Sequence, residues 1–253
     1  MSKCFEKFVF SLLVFVSLIN FSYSADGDKG SALIIIDMQS YFVKRNGKDQ
    51  EPANVKKLEE VLKAQQAAIK QAKELKIPII FIEYQNFGTS NPDLIKSTEG
   101  YENVTTFIKN TDGMFESYNN TTKQIEEFLQ NKNIKTLIIA GANGGACVLA
   151  SIQGSLARNF NVLAISTAIA DFNYPEFVYP YKARYSFKTS CNDCSFKEIE
   201  NPDMATLELT LHKLNNKNVV AQGLEDSKRE PKSVSPNDEV KKRSSVQSES
   251  TAR

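Results

Sequence analysis

Ser31–Asp37 (SALIIID) is a continuous apolar run closed by an acid, the form of a strand buried on both faces. From Pro52 to Lys76, Val55, Leu58, Val61, Leu62, Ile69, Ala72 and Leu75 recur at helical spacing against a face rich in Lys, Glu and Gln, which predicts an amphipathic helix. Pro78–Tyr84 (PIIFIEY) is a second buried strand and Val104–Lys109 (VTTFIK) a weaker third. A helix is expected over Thr121–Asn131, with Ile125, Phe128 and Leu129 inward, followed by a fourth strand at Thr136–Gly141 (TLIIAG). Ala146–Asn159 reads as a helix, Asn161–Thr167 (NVLAIST) as a fifth strand and Met204–Asn216 as a last helix, with a short strand expected at Val219–Ala221. Strands without a polar face, alternating with amphipathic helices, predict a three-layer α/β/α sandwich around a mainly parallel sheet of about six strands.

The two ends break this pattern. Lys3 and Lys7 precede an apolar run from Phe8 to Phe21, interrupted only by Ser11, Ser17 and Asn20. As a helix it would span about 21 Å, short of the roughly 30 Å hydrocarbon core. Ser22-Tyr23-Ser24 then places small residues where a signal peptidase cuts. Residues 1–24 are therefore expected to be a signal peptide and the mature chain to be exported, periplasmic or secreted, without a stable membrane anchor; the alternative is an uncleaved N-terminal anchor. From Gly223 onward the chain lacks aromatic residues and is rich in Ser, Lys, Glu and Pro, so residues 223–253 are expected to be a disordered polar tail. Residues 25–222 are left as one domain.

Composition adds mainly exclusions. At 41% hydrophobic and 24% charged the chain is ordinary globular material, and its 31 Lys+Arg against 30 Asp+Glu leave a net charge of +1, so nothing points to nucleic acid as a partner. There is a single histidine, His212, which rules out a His-rich metal site. Of four cysteines, Cys4 would leave with the signal. Cys191 and Cys194 form a CxxC in a Tyr-rich stretch, where an oxidising compartment favours a disulfide between them. Zinc would need further ligands, and a thioredoxin-like centre would need the motif at a helix start. Cys147 remains as a lone thiol, either reactive or buried and inert.

In a parallel α/β sheet the functional groups collect at the carboxyl ends of the strands. Asp37 ends the first strand, Lys109 the third, and Cys147 follows the fourth. Singly, each has a plainer reading: a turn or cap acid, a solvated lysine, a small buried cysteine. Together they put an acid, a base and a thiol around one crevice, as nucleophilic acyl transfer requires.

Ile36-Asp37-Met38-Gln39, Lys109 six residues before Phe115, and the glycine-led Gly141-Ala142-Asn143-Gly144-Gly145-Ala146-Cys147-Val148 resemble the isochorismatase-like cysteine hydrolase family. Ala164–Asp171 resembles its next strand and turn. The resemblance covers about residues 31–172. It implies a Rossmann-like three-layer fold and an Asp–Lys–Cys triad: Cys147 as nucleophile, Asp37 as proton acceptor and later donor, Lys109 as the charge favouring thiolate. A helix N-terminus and a nearby ammonium would also lower a thiol pKa on general grounds. The expected reaction is attack on a small amide or imide carbonyl to give a thioester, which water hydrolyses, with amides of the loop Ala142, Asn143, Gly144, Gly145 and Ala146 and of Cys147 holding the oxyanion. The family's cis peptide would fall at Ala142–Asn143. Gln39, Phe115 and Tyr84 are the expected substrate contacts.

The departures from the family pattern are Gly144 and Gly145 before the cysteine, Gly113 where Ser is common, and Thr167 where an Asp commonly follows the fifth strand. Each removes a side-chain hydrogen bond, which predicts a looser loop and an unusual pocket. Cys147 argues against the vinyl-ether chemistry of true isochorismatases, which lack it. Glu83-Tyr84-Gln85-Asn86 stands where nicotinamidases of the family carry an Asp-x-His metal motif, so neither a metal nor another cofactor is expected. The Tyr- and Phe-rich stretch 173–196 reads as a satellite core, a pocket wall or a subunit interface, and a homo-oligomer is compatible with it. Asn103, Asn119 and Asn120 each open an Asn-x-Thr sequon, meaningful only in a eukaryotic secretory pathway. Two classes of function compete: an exported amidase-type hydrolase of a small molecule, and an exported binding or interaction protein that keeps the fold without the chemistry.

Overall fold

A computed structural model describes residues 30–42, 52–118, 120–171, 195–200 and 203–215, all within the compact unit that ends at Asn216. The expected signal segment, the Cys191–Cys194 pair, most of the Tyr-rich stretch, the strand at 219–221 and the polar tail lie outside the described residues.

The strands are β1 (Ser31–Ile36), β2 (Ile79–Tyr84), β3 (Val104–Lys109), β4 (Thr136–Gly141), β5 (Asn161–Ile169) and β6 (Phe196–Ile199). They form one parallel sheet in the order β3-β2-β1-β4-β5-β6. The helices are α1 (Pro52–Glu74), α2 (Pro92–Ser97), α3 (Thr121–Asn131) and α4 (Leu149–Leu156), the last preceded by a π-helical turn at Gly144–Val148; α5 covers residues 204–215.

Side chains alternate across a strand, so each apolar run feeds two cores. Ile34, Ile36, Ile80, Ile82, Leu137 and Ile139 pack on one face against Ile125 and Leu129 of α3 and Ile152 and Leu156 of α4. Leu33, Ile35, Ile79, Phe81, Ile138 and Ala140 pack on the other against Val61, Ile69 and Ala72 of α1 and Leu207, Leu211 and Leu214 of α5. This is why β1, β2 and β4 carry almost no polar position.

Three elements differ from the sequence expectation. β6 lies at Phe196–Ile199; its FKEI is half-buried and lacks an apolar run, and among the described residues it pairs with β5 alone. The short helix α2 was not expected. It starts on an Asn91 cap whose side chain accepts from Asp93 N–H, with proline in its first turn, but six residues are too few for a periodic signal. β5 runs on to Ile169 instead of ending at Thr167, with a register shift against β4 between Ile139 and Gly141. The strand order reverses between β1 and β4. There the crossovers leave on opposite sides and open a crevice at the carboxyl ends.

Candidate active site

The chain leaves β1 through Asp37, whose φ of 50° turns it off the sheet. Gly141 ends β4 at φ 132°, and a Cβ there would stand 2.2 Å from the Ile36 carbonyl oxygen. Only glycine fits. This close approach lets Ala142 N–H donate to Ile36 O at 2.8 Å and carries the following loop over the end of β1. The Ala142–Asn143 peptide is cis, as the family resemblance implies, and the π-helical turn then delivers Cys147 to the crevice as a buried free thiol.

Asp37, Lys109 and Cys147 do converge. Lys109 Nζ stands 2.7 Å from Asp37 Oδ2, with both side chains buried. Its charge is further met by the Thr111 carbonyl at 2.9 Å and the face of the Tyr84 ring, 4.3 Å from Nζ to the centroid. This is how an edge-strand lysine is kept at 0% exposure. Neither Asp37 oxygen accepts an aligned hydrogen bond. Burial pushes the Asp37 carboxyl above its usual range, opposed by the Lys109 charge and by the neighbouring thiol.

The thiol itself departs from expectation. Burial, then the Asp37 carboxylate, push Cys147 up to about 12; the Lys109 ammonium opposes this but does not prevail. The helix start and the lysine are legible in the sequence; the depth of the site and a second acid are not. That acid is Asp112, whose Oδ1 accepts from the Cys147 thiol at 3.7 Å. Its position three residues after Lys109 was a signal, but an isolated acid in a loop reads as solvated.

The glycine loop is held by Ala170 and Asp171. Gly145 N–H donates to Asp171 Oδ2 at 2.8 Å and Gly144 N–H to Ala170 O at 2.8 Å. Ala146 and Val148 N–H both donate to Asn143 O. These four amides are engaged within the fold, so the expected use of Gly144, Gly145 and Ala146 as oxyanion donors is corrected: they shape the loop. The looseness expected from Thr167 is corrected as well. Thr167 lies inside β5, and Asp171, buried two residues beyond the strand, supplies the carboxylate.

Two of the three expected substrate contacts are structural. Gln39 is fully buried. Its Oε1 accepts from Tyr84 N–H at 2.6 Å, and its Nε2 donates to Tyr84 O at 2.9 Å and Gly88 O at 2.6 Å. With both ends of its amide occupied, Gln39 fixes Tyr84 instead of meeting a ligand. Phe115 is in the core, stacked 6.0 Å from Phe160 and under the Arg158 guanidinium at 4.6 Å. Tyr84 does line the crevice.

That crevice has a volume of about 390 Å³, a size suited to a small molecule. Asp37 and Cys147 line it together with Ala142, Asn143 and Ala146, while Phe42, Tyr84 and Phe87 supply an aromatic wall and Asp112 a second acid. Phe42 and Phe87 are stacked at 4.8 Å, and Tyr84 meets Phe87 edge-on at 5.5 Å. Buried Glu83 fixes the loop carrying Phe87, its Oε1 accepting from Ser90 N–H at 2.7 Å and Ser90 Oγ–H at 2.8 Å. Among the described residues no group of three or more His, Cys, Asp or Glu is arranged to hold a metal ion, and no helix is long and apolar enough to cross a membrane.

The isochorismatase domain family matches residues 31–180, from β1 to beyond β5. The chain belongs to this family. Isochorismatase family proteins 1A and 1B of Dictyostelium discoideum are 29% and 28% identical to it over 146 residues, 56% of this chain and 64% of each relative. The chain thus matches less than two thirds of those relatives' length. Among solved structures, the MAR1 ribonuclease of Caenorhabditis elegans is similar at 20% identity and a TM-score of 0.52, covering 83% of this chain and 96% of that one. The YcaC gene product of Escherichia coli, an octameric hydrolase of unknown specificity, is similar at 15% identity and a TM-score of 0.51, covering 81% and 98%. At such identities the likeness is one of fold, and the fold is that of the isochorismatase-family hydrolases.

Proposed function

We propose that the protein is a cysteine hydrolase that cleaves a carbon–nitrogen bond of a small amide or imide. The observation that carries this reading is the buried Asp37–Lys109 ion pair beside a free thiol on the wall of a small-molecule crevice. A buried ion pair is a poor device for stability, and here it adjoins the Cys147 thiol on the crevice wall.

The chemistry follows from the protonation states. With the thiol pushed up to about 12, free thiolate at pH 7 would cost about 7 kcal/mol. The proton therefore leaves as sulfur attacks. The Cys147 Sγ–carbonyl carbon bond forms while the thiol proton passes to the Asp37 carboxylate, itself made more basic by burial. The Cys147 amide serves as a donor for the developing oxyanion. Collapse breaks the carbon–nitrogen bond, and Asp37 returns the proton to the departing nitrogen. Water then attacks the thioester, gives a proton to Asp37, and the acyl group leaves as carboxylic acid while the thiol regains its proton. Lys109 holds the Asp37 carboxylate in place and balances its charge throughout.

The test is a panel of small amides with ammonia or amine release as readout, run on wild type and Cys147→Ala. Without the sulfur no thioester can form, so turnover should fall to background while the circular dichroism spectrum is unchanged. Near-normal kcat in Cys147→Ala would sink the mechanism. The raised thiol also favours a second reading, a binding protein that keeps the fold without turnover; no hydrolysis across the panel supports it.

We further propose export with cleavage after Ser24, on the strength of the basic start, the short apolar run and Ser22-Tyr23-Ser24, and a Cys191–Cys194 bridge in the oxidised mature chain. N-terminal sequencing should read from Ala25; an intact Met1 in a membrane fraction would overturn it.

A further inference from the structure

Among the described residues, the carboxylates that line the crevice are Asp37 and Asp112, and no Lys, Arg or His lines it. The charge on Asp37 is met by Lys109 at 2.7 Å. Asp112 is exposed, forms no ion pair with a described residue, and has the neutral Cys147 thiol as its hydrogen-bond partner. Among the described residues of the lining, Asp112 is therefore a carboxylate without a countercharge, next to the reacting sulfur. Asp37 adds to this: it is 3% exposed, yet its Oδ1 accepts no hydrogen bond. A buried carboxylate oxygen left this way calls for a donor from whatever fills the crevice.

The facing wall has matching chemistry. Phe42, Tyr84 and Phe87 present π-systems whose electron-rich faces attract cations. The Lys109 ammonium already uses one face of Tyr84 in this way. An anionic substrate would meet Asp112 uncompensated and find no cation among the described residues of the lining to bind it.

We infer that the site selects a flat cationic substrate, an amide carrying an amidinium, guanidinium or ammonium group, and that Asp112 is its specificity residue. The inference rests on the proposed amide hydrolysis for the word substrate, but the charge selection is a property of the crevice alone. Geometry also restricts where the charge sits. An attacked carbonyl carbon lies about 3–3.5 Å from the sulfur, and Asp112 Oδ1 lies 3.7 Å from the same sulfur. The cationic group is therefore within a few bonds of the scissile carbonyl.

Benzamidinium, benzamide and benzoate share one flat shape and differ in charge. Their affinities for the intact reduced protein, measured by titration calorimetry at low ionic strength, test the inference directly. Benzamidinium should bind about tenfold more tightly than benzamide, with benzoate weakest, and added salt should shrink the ratio. Asp112→Asn should bring the benzamidinium-to-benzamide ratio close to one, and Asp112→Glu should retain most of it. A wild-type ratio of one or less, a ratio that survives Asp112→Asn, or no benzamidinium binding up to about 10 mM would overturn the inference. Ammonia release separates the two readings: a charge-ordered affinity without hydrolysis of any amide sinks the hydrolase alone, and hydrolysis without charge order sinks the inference alone.

Discussion

Replacing Lys109 by Met should destabilise the protein strongly, and in a pH-dependent way. The side chain is fully buried and its ammonium stands 2.7 Å from a carboxylate that is almost as buried. Removing one partner of such a pair leaves a buried charge uncompensated, typically costing about 3–5 kcal/mol, a large part of the roughly 5–15 kcal/mol by which domains are stable. Asp37 can relieve the strain by taking up a proton. Burial already holds its folded pKa above the usual range, with Lys109 the largest influence pulling it back; the variant loses that pull. Between the unfolded value, near 4, and the raised folded value, the folded state binds more protons than the unfolded one. Stability therefore falls as pH rises through this window, and more steeply in Lys109→Met than in wild type. Urea unfolding at about pH 5 and pH 8, followed by circular dichroism, should show a larger deficit at the higher pH. The double variant Asp37→Asn/Lys109→Met, with neither charge, should recover much of the loss. A deficit below about 1 kcal/mol, the size of a surface pair, and equal at both pH values would refute the reasoning.

Three further outcomes are expected. Because Cys147 is pushed up to about 12 by burial and by Asp37, its rate of iodoacetamide labelling should keep climbing through about pH 10, earlier in Asp37→Asn; an inflection below pH 8 in wild type would contradict the burial argument. Asp171→Ala removes the acceptor for Gly145 N–H and should cost about 1–3 kcal/mol while lowering kcat more than it raises KM. Unchanged kinetics would show that this carboxylate does not hold the glycine loop for catalysis. Gly141→Ala would place a Cβ 2.2 Å from Ile36 O at φ 132°, so stability should drop by more than about 3 kcal/mol; a melting temperature near wild type would mean that β1 and β4 can separate freely there.

What the sequence by itself determined was set by local pattern. A strand buried on both faces is apolar at nearly every position, so SALIII, IIFIEY and TLIIAG announced β1, β2 and β4, and the helical periodicity of α1 and α3 announced the covering layers. Asp37, Lys109 and Cys147 were legible because parallel strands bring their carboxyl ends together whatever the separation along the chain. The tertiary structure alone decided how those groups behave. Gln39 sits in the same motif as Asp37, but only the approach of Tyr84 and Gly88 shows that its amide is already engaged. Phe115 follows the lysine at the family's spacing, but its loop turns it into the core beside Phe160. The direction of the thiol's pKa is a sum over burial, Asp37, Lys109 and Asp112, contributed by three separate segments of chain. Local periodicity reports which face of an element meets the core; charge and desolvation at a site depend on distances across the fold, which no stretch of sequence contains.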